Sequence, residues 1–216
     1  IELVLKFLKI YKDFNYVNIH LPLVEIFPIS FFLKKKKTII NFHCLPEFPI
    51  YLKFIKLYFY FFGIISFIKS KYIIVLSKDY FKNFFLHSLF VKNLLELPPY
   101  VPLPQIYSKR KFNTNTIKIG YLGRICEEKG LKYLILLSNN LLLQNINHQL
   151  IIAGDINDSR FKKYINNLIK SAEENSNIIF IGKLDQKQKE QFYNELDLFI
   201  LPSINSFEAF GIVQLE

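Results

Sequence analysis

Short β-rich runs separated by helix-length stretches recur twice along these 216 residues, with a proline-rich break between the two series. In the first series "FNYVNIH" (14–20) and "TIINFH" (38–43) each end in histidine, and "KYIIVLS" (71–77) ends in serine. A long apolar helical stretch lies between the second and the third. Strands alternating with helices predict βαβ units and a parallel sheet, because a parallel neighbour needs a crossover connection. Four prolines then fall within the eight residues "LPPYVPLP" (97–104), and the charged, Asn-rich "YSKRKFNTNT" follows. Such a stretch continues neither periodic element, so it marks a boundary between residues 1–113 and 114–216. The second series predicts strands at 117–122, 149–153, 178–182 and 198–202, helices at 128–143, 159–173 and 185–195, and a last helix opening near Gly211. The expected fold is α/β, one Rossmann-like lobe behind another.

Composition bears on how residues are weighed. The apolar share of 51% is enough to bury a core of ordinary size. Heavy use of Ile, Lys, Asn, Phe and Tyr, with no Met, no Trp and only 7 Gly, reads as a global substitution bias. The rare Gly, Pro, Arg and His therefore carry more information than the common residues. The chain opens at Ile1 and closes on "GIVQLE", the beginning of a helix, so both ends read as breaks inside a longer protein. Cys44 and Cys126 stand far apart without a CxxC partner, which fits reduced thiols and argues against a cysteine metal site or a disulfide framework. The longest apolar stretch, Leu57–Ile68 between Lys56 and Lys69, is short of the roughly 20 residues needed to span a bilayer and predicts a buried helix.

Charge is divided unevenly. Basic residues number 17 against 6 acidic over 1–113, but 11 against 12 over 114–216, so the whole net charge of +10 sits in the first half. Lys34–Lys37 form one cluster, and Lys109, Arg110 and Lys111 another. A one-sided basic lobe suits an anionic membrane face or an anionic substrate, and it is equally consistent with a solvated lysine-rich surface. Nucleic acid is not expected as a partner, since no zinc-finger, helix-turn-helix or RNA-binding signature accompanies the charge.

Two segments of the second half point to a bound anion. Strand 117–122 breaks at Gly123, and "GRICEEKG" leads into its helix, at the carboxyl end of a parallel strand where open sheets take ligands. Arg124 and Lys129, five apart, both have reach to one anionic group there, although solvated side chains would look the same. The turn is neither GxGxxG nor a P-loop. In "PSINSFEAFGIVQLE" Ser203 ends a strand, and a loop through Glu208 and Phe210 leads to a helix start at Gly211. Backbone N–H groups of Gly211, Ile212 and Val213 at such a start would face an anion. Glu208 and Glu216 are placed to flank one ligand, and carboxylates accept hydrogen bonds well from sugar and ribose hydroxyls; a capping acid and a solvated Glu are the plain alternative.

The segments "GYLGRICEEKGLKYLI", "LIIAGD", "IIFIGKL", "LDLFILPS" and "FEAFGIVQLE" follow one another in the order and spacing of the donor lobe of glycosyltransferase family 4. The chain resembles that family from Ile117 to its end, with "NYVNIHLP", "TIINFH" and "KYIIVLS" as weaker matches to strand ends of the first lobe. The resemblance implies a GT-B fold, two Rossmann-like lobes facing a cleft and both incomplete. It implies a retaining, metal-independent transfer of sugar from a nucleotide-sugar donor to a saccharide or lipid-linked acceptor. Arg124 and Lys129 become diphosphate ligands, Glu208 faces the donor sugar, and Glu216 of the E-x7-E motif faces the ribose. The backbone from Phe210 to Val213 surrounds sugar and phosphates, with Gly123 and Ser203 at the adjoining strand ends. His43 matches the histidine facing the transferring centre, and His20 sits at a neighbouring strand end. No cofactor or metal is implied beyond the nucleotide-diphosphate sugar itself. The expected setting is cytoplasmic, peripheral at the cytoplasmic face of a membrane. Relative to the family pattern the opening strand and its Gly-rich loop are lacking, which leaves a non-catalytic remnant acting as an interaction module as the alternative.

Overall fold

A computed structural model describes residues 2–45, 53–100, 115–204, 208 and 211–215. The chain divides into two compact units, residues up to 100 together with Glu208 forming one, and the remaining described residues the other.

The first unit runs α1 (Glu2–Ile10), a 3-10 turn (Tyr11–Asp13), β1 (Val17–Leu21), α2 (Ile26–Phe32), β2 (Thr38–Phe42), α3 (Lys53–Ile68), β3 (Tyr72–Val75), α4 (Lys78–Phe81), a 3-10 helix (His87–Asn93) and β4 (Leu94–Glu96). The strands pair in the order β1-β2-β3-β4, all parallel. Register aligns Ile19 with Ile40 and Ile40 with Ile73, a row of β-branched side chains that are all buried. Two ends are fixed by side chains. Tyr11 accepts a hydrogen bond from the Lys34 amide at 2.7 Å, and Ser77 caps α4 by accepting from Tyr80 N at 3.2 Å.

Four elements here, α1, α2, α4 and β4, have no counterpart in the sequence expectations. Pro28 falls in the first turn of α2, where its missing N–H has no intrahelical partner to lose, so it does not stop the helix. The apolar helix is also corrected. Of α3 only Gly63, Ser66 and Phe67 are buried, because a helix laid on one face of a sheet hides one stripe and leaves the opposite one outside. No described helix is long and apolar enough to cross a membrane.

The second unit runs β5 (Ile117–Leu122), a 3-10 turn (Glu127–Lys129), α5 (Leu131–Leu143), β6 (His148–Ala153), a 3-10 turn (Ser159–Phe161), α6 (Lys162–Ala172), β7 (Ile178–Gly182), α7 (Gln186–Glu195), β8 (Leu198–Phe199) and a 3-10 turn (Ile212–Gln214). Local signals account for the helices. Ile165, Leu168 and Ala172 bury one face of α6, and a reciprocal capping box between Asp185 and Gln188 opens α7. A buried polar cluster ties the layers together. His148 Nδ1 donates to the Ile146 carbonyl at 2.8 Å, so its Nε2 accepts from the Ser138 hydroxyl at 2.7 Å, and Asn175 donates to that hydroxyl oxygen at 3.1 Å.

The strand order is β7-β6-β5-β8, all parallel. The chain starts in the middle at β5, moves outward through β6 and β7, then crosses back to lay β8 on the other side. The reversal of direction falls between β5 and β8, and a topological switch point of this kind leaves a crevice beyond the strand carboxyl ends.

Candidate functional site

The turn that follows β5 lies at that switch point. Gly123 N donates to Ala153 O at 3.0 Å, which continues the β5–β6 pairing one residue past the strand. The fully buried Tyr121 sends its hydroxyl to the Arg124 carbonyl at 2.7 Å. A Cβ on residue 123 would lie 2.7 Å from that hydroxyl oxygen, so a side chain there would have to displace the Tyr121 hydroxyl. Tyr121→Phe is expected to cost about 1 kcal/mol of stability and to loosen the turn without changing the sheet. Urea unfolding checks the first effect, and backbone amide shifts confined to residues near 124 the second.

Arg124 is half exposed and donates to Glu128 Oε1 at 2.7 Å, one helical turn further on. The 3-10 turn carries Lys129 as its last residue, and Gly130 closes it at φ 66°. The strand end on the other side of the switch point packs directly against it, with Ile204 N donating to Glu128 O at 3.0 Å. A side chain at position 130 would run into the Pro202 carbonyl oxygen. The second unit therefore gathers Gly123, Arg124, Lys129 and Ser203 at one edge. Cys126 is buried beneath this turn, and burial, reinforced by Glu128, pushes its thiol pKa up. It is a packing residue rather than a nucleophile.

Sequence reasoning passed over Glu128, Gly130 and Tyr121. A carboxylate four residues after an arginine and a glycine immediately before an amphipathic run are readable signals for the first two. Tyr121 had none, since its role depends on where its hydroxyl reaches across the turn.

The other end of the expected site differs in form. Gly211 is left-handed at φ 70°, and residues 212–214 form a single 3-10 turn with bonds from Gln214 N to Gly211 O and from Leu215 N to Ile212 O. The α-helix expected from Gly211 is therefore not formed within the described residues, and i to i−3 bonding over three residues builds no macrodipole. Val213 turns its carbonyl inward to accept from Tyr193 OH at 3.0 Å. Glu208 is partly buried and groups with the first unit, so the second unit by itself assembles the basic turn without it. Phe210 and Glu216 lie outside the described residues.

In the first unit, His20 is the penultimate residue of β1 and His43 directly follows the adjacent strand β2. Their rings stack with centroids 5.0 Å apart, and His20 Nδ1 and His43 Nε2 share one proton across 2.7 Å. Asn41 donates to Asn18 at 2.6 Å one pleat below. The pairing commits Nε2 of His43 to its neighbour and leaves its Nδ1 edge uncommitted by that bond. Burial, and then the adjacent His20, hold the His43 imidazole below the ordinary histidine range. The unfolded chain consequently binds more protons than the folded one between that lowered value and about pH 6.5, and stability rises with pH across the window. The urea midpoint of the first unit is expected to fall as pH drops from 7.5 to 5.5, with a shallower slope in His43→Asn.

Two units of parallel strands and covering helices, one carrying a basic turn at a switch point, belong to the Rossmann-like class that takes ligands beyond its strand ends. The chain is a member of the glycosyl transferases group 1 family, whose profile matches residues 104–216. It is 32% identical over 146 residues to glycogen synthase of Clostridium acetobutylicum, covering 64% of this chain and 27% of that one. It is 29% identical over 119 residues to protein CapJ of Staphylococcus aureus, covering 52% and 29%. Among solved structures, Anabaena HepE in complex with UDP and glucose matches with a TM-score of 0.70 at 13% identity, over 98% of this chain and 59% of that one. At that identity the likeness concerns the fold, which is of the GT-B type. The alignments span less than a third of the length of the curated relatives.

Proposed function

We propose that the protein is a retaining, metal-independent glycosyltransferase of family 4, moving a sugar from a nucleotide-sugar donor to a saccharide or lipid-linked acceptor in polysaccharide or glycolipid synthesis. Residues 114–216 form the donor lobe, and residues 1–113 the acceptor-side lobe with its linker. Arg124 and Lys129 hold the diphosphate, Glu208 the donor sugar and Glu216 the ribose, with the backbone of Phe210, Gly211, Ile212 and Val213 around them. His43 presents its free edge to the transferring centre. The basic first lobe rests on an anionic membrane at its cytoplasmic face.

The observation that carries this reading is the basic turn Gly123–Lys129 at the switch point between β5 and β8. A departing nucleoside diphosphate gathers negative charge as the glycosidic bond loosens, and a fixed cation in a preorganised turn stabilises that charge without reorganisation. Glu128 has a part in this. Its carboxylate holds the guanidinium in place while the donor is away, and the diphosphate takes over as the stronger anionic partner on binding. The test is a panel of nucleotide sugars titrated against the chain, followed by amide shifts. Saturable binding that perturbs residues 123–130 is the expected result. If no nucleoside diphosphate binds, the donor-site reading fails and the interaction-module alternative stands.

A further inference from the structure

Helix α3 is apolar on two opposite sides. Phe54, Leu57, Phe61, Ile65 and Ile68 follow one another at spacings of three and four, which on an ideal helix confines them to an arc of about 80°. The buried Gly63, Ser66 and Phe67 lie roughly opposite. That second side is the one packed onto the first unit's core, so the outward stripe has no role in the fold. It is nevertheless bare, with Phe54 86%, Leu57 66% and Phe61 56% exposed. The apolar surface continues sideways onto α2 through ring contacts of Phe62 with Phe61, Phe27 and Phe31 at centroid distances of 4.9, 4.7 and 6.1 Å, the last two rings also half exposed. Single exposed apolar residues need no explanation, whereas a contiguous aromatic patch on two packed helices marks a surface that leaves water.

Its border is cationic. Lys53 stands at the start of α3 and Lys69 just past its end, where Nζ of Lys69 donates to the Phe31 carbonyl at 2.8 Å. The Lys34–Lys37 run follows directly on α2. Over the described residues of the first unit 14 lysines face 6 acidic residues. A second copy of the chain on this face would bring two such rims together in repulsion, while an anionic lipid leaflet matches both the apolar centre and the basic edge. A 16-residue helix is about 24 Å long, so it fits in the plane of the interface and not across the bilayer.

We infer that the outward stripe of α3, with Phe27 and Phe31 of α2, inserts into the headgroup–acyl boundary of an anionic membrane, lysines at the phosphates and phenyl rings below them. This rests on the membrane-side reading of the first lobe given above and turns it from charge contact into insertion; the donor site plays no part in it.

The absence of tryptophan from the chain provides a clean reporter. Phe61→Trp introduces a single fluorophore into the stripe, to be read with vesicles of phosphatidylcholine alone or mixed with phosphatidylglycerol, with and without brominated acyl chains. Anionic vesicles should shift its emission to the blue, and acyl bromine should quench it. Adding Phe54→Ser and Leu57→Ser should weaken partitioning at least about tenfold, with circular dichroism unchanged. Binding to anionic vesicles with unshifted, unquenched emission would leave a charge-only contact and overturn insertion. No vesicle binding would overturn insertion and the membrane part of the proposed function together, leaving donor binding to be judged on its own titration. A concentration-dependent blue shift without lipid would assign the stripe to a second copy and overturn the inference.

Discussion

Gly130→Ala is expected to destabilise the second unit by about 3 kcal/mol or more and to abolish ligand binding at the turn. Two penalties coincide at this position. The residue sits at φ 66°, where a side chain costs roughly 1–2 kcal/mol, and the added methyl would meet the Pro202 carbonyl oxygen, a backbone atom that cannot swing aside. Relief requires moving either the 3-10 turn that carries Lys129 or the strand end that carries Ser203, so the site opens as the unit loosens. Gly182 separates the two contributions. It is also left-handed, at φ 75°, but a methyl there meets nothing within 4 Å. Gly182→Ala should therefore show the conformational part alone, about 1–2 kcal/mol. Urea unfolding of both variants measures the comparison. Equal losses would mean that the close approach of Pro202 to Gly130 contributes nothing.

Arg124→Ala is expected to lower sugar transfer by about 10²–10³ in kcat/KM while leaving the thermal midpoint nearly unchanged. The asymmetry follows from the surroundings of the side chain. Among the described residues its ion-pair partner is Glu128, at a half-exposed position, and such pairs contribute about 0–1 kcal/mol to folding. In the proposed donor complex the same guanidinium would make charge-assisted hydrogen bonds to the diphosphate that strengthen as the leaving group departs. Glu128→Gln supplies the opposing case, since it removes the competing carboxylate, and donor binding should be as tight or tighter. Wild-type donor affinity in Arg124→Ala would remove this residue from the site. A weakening by Glu128→Gln equal to that of Arg124→Ala would show that the pair acts as a structural clasp.

How far residues alone led can be judged element by element. Strands 117–122 and 178–182 match the sequence expectation at both ends, because each is a short run rich in Ile and aromatic residues with Asn before it and Gly at or just past its end. The helix expected over 159–173 was legible from its amphipathic spacing, although its first turn is 3-10. The strand expected over 198–202 pairs only through Leu198–Phe199, where β8 runs along the edge of β5 and then veers toward the Glu127–Gly130 turn. Helix α3 misled because high apolar content hides its period. Both of its long sides are apolar, and no sequence moment distinguishes the side that meets the sheet from the side that meets solvent.

At the site the identities of Gly123, Arg124 and Lys129 were readable, and their relations were not. Glu128 was visible as a letter, but its claim on Arg124 depends on the 3-10 turn that brings position 128 back to the guanidinium. His20 and His43 are 23 residues apart, and only the parallel register of β1 and β2 makes them share a proton.

By itself, then, the order of residues determined the local elements, the break between the two series, the uneven charge and the chemistry available at each strand end. These depend on neighbours within a few positions, where backbone sterics and periodic burial act. Tertiary structure decided that β8 crosses back beside β5 to create the switch point, and that α3 turns one apolar stripe inward and the other out. Such choices are settled by which distant surfaces exclude water together, and no window along the chain contains both partners.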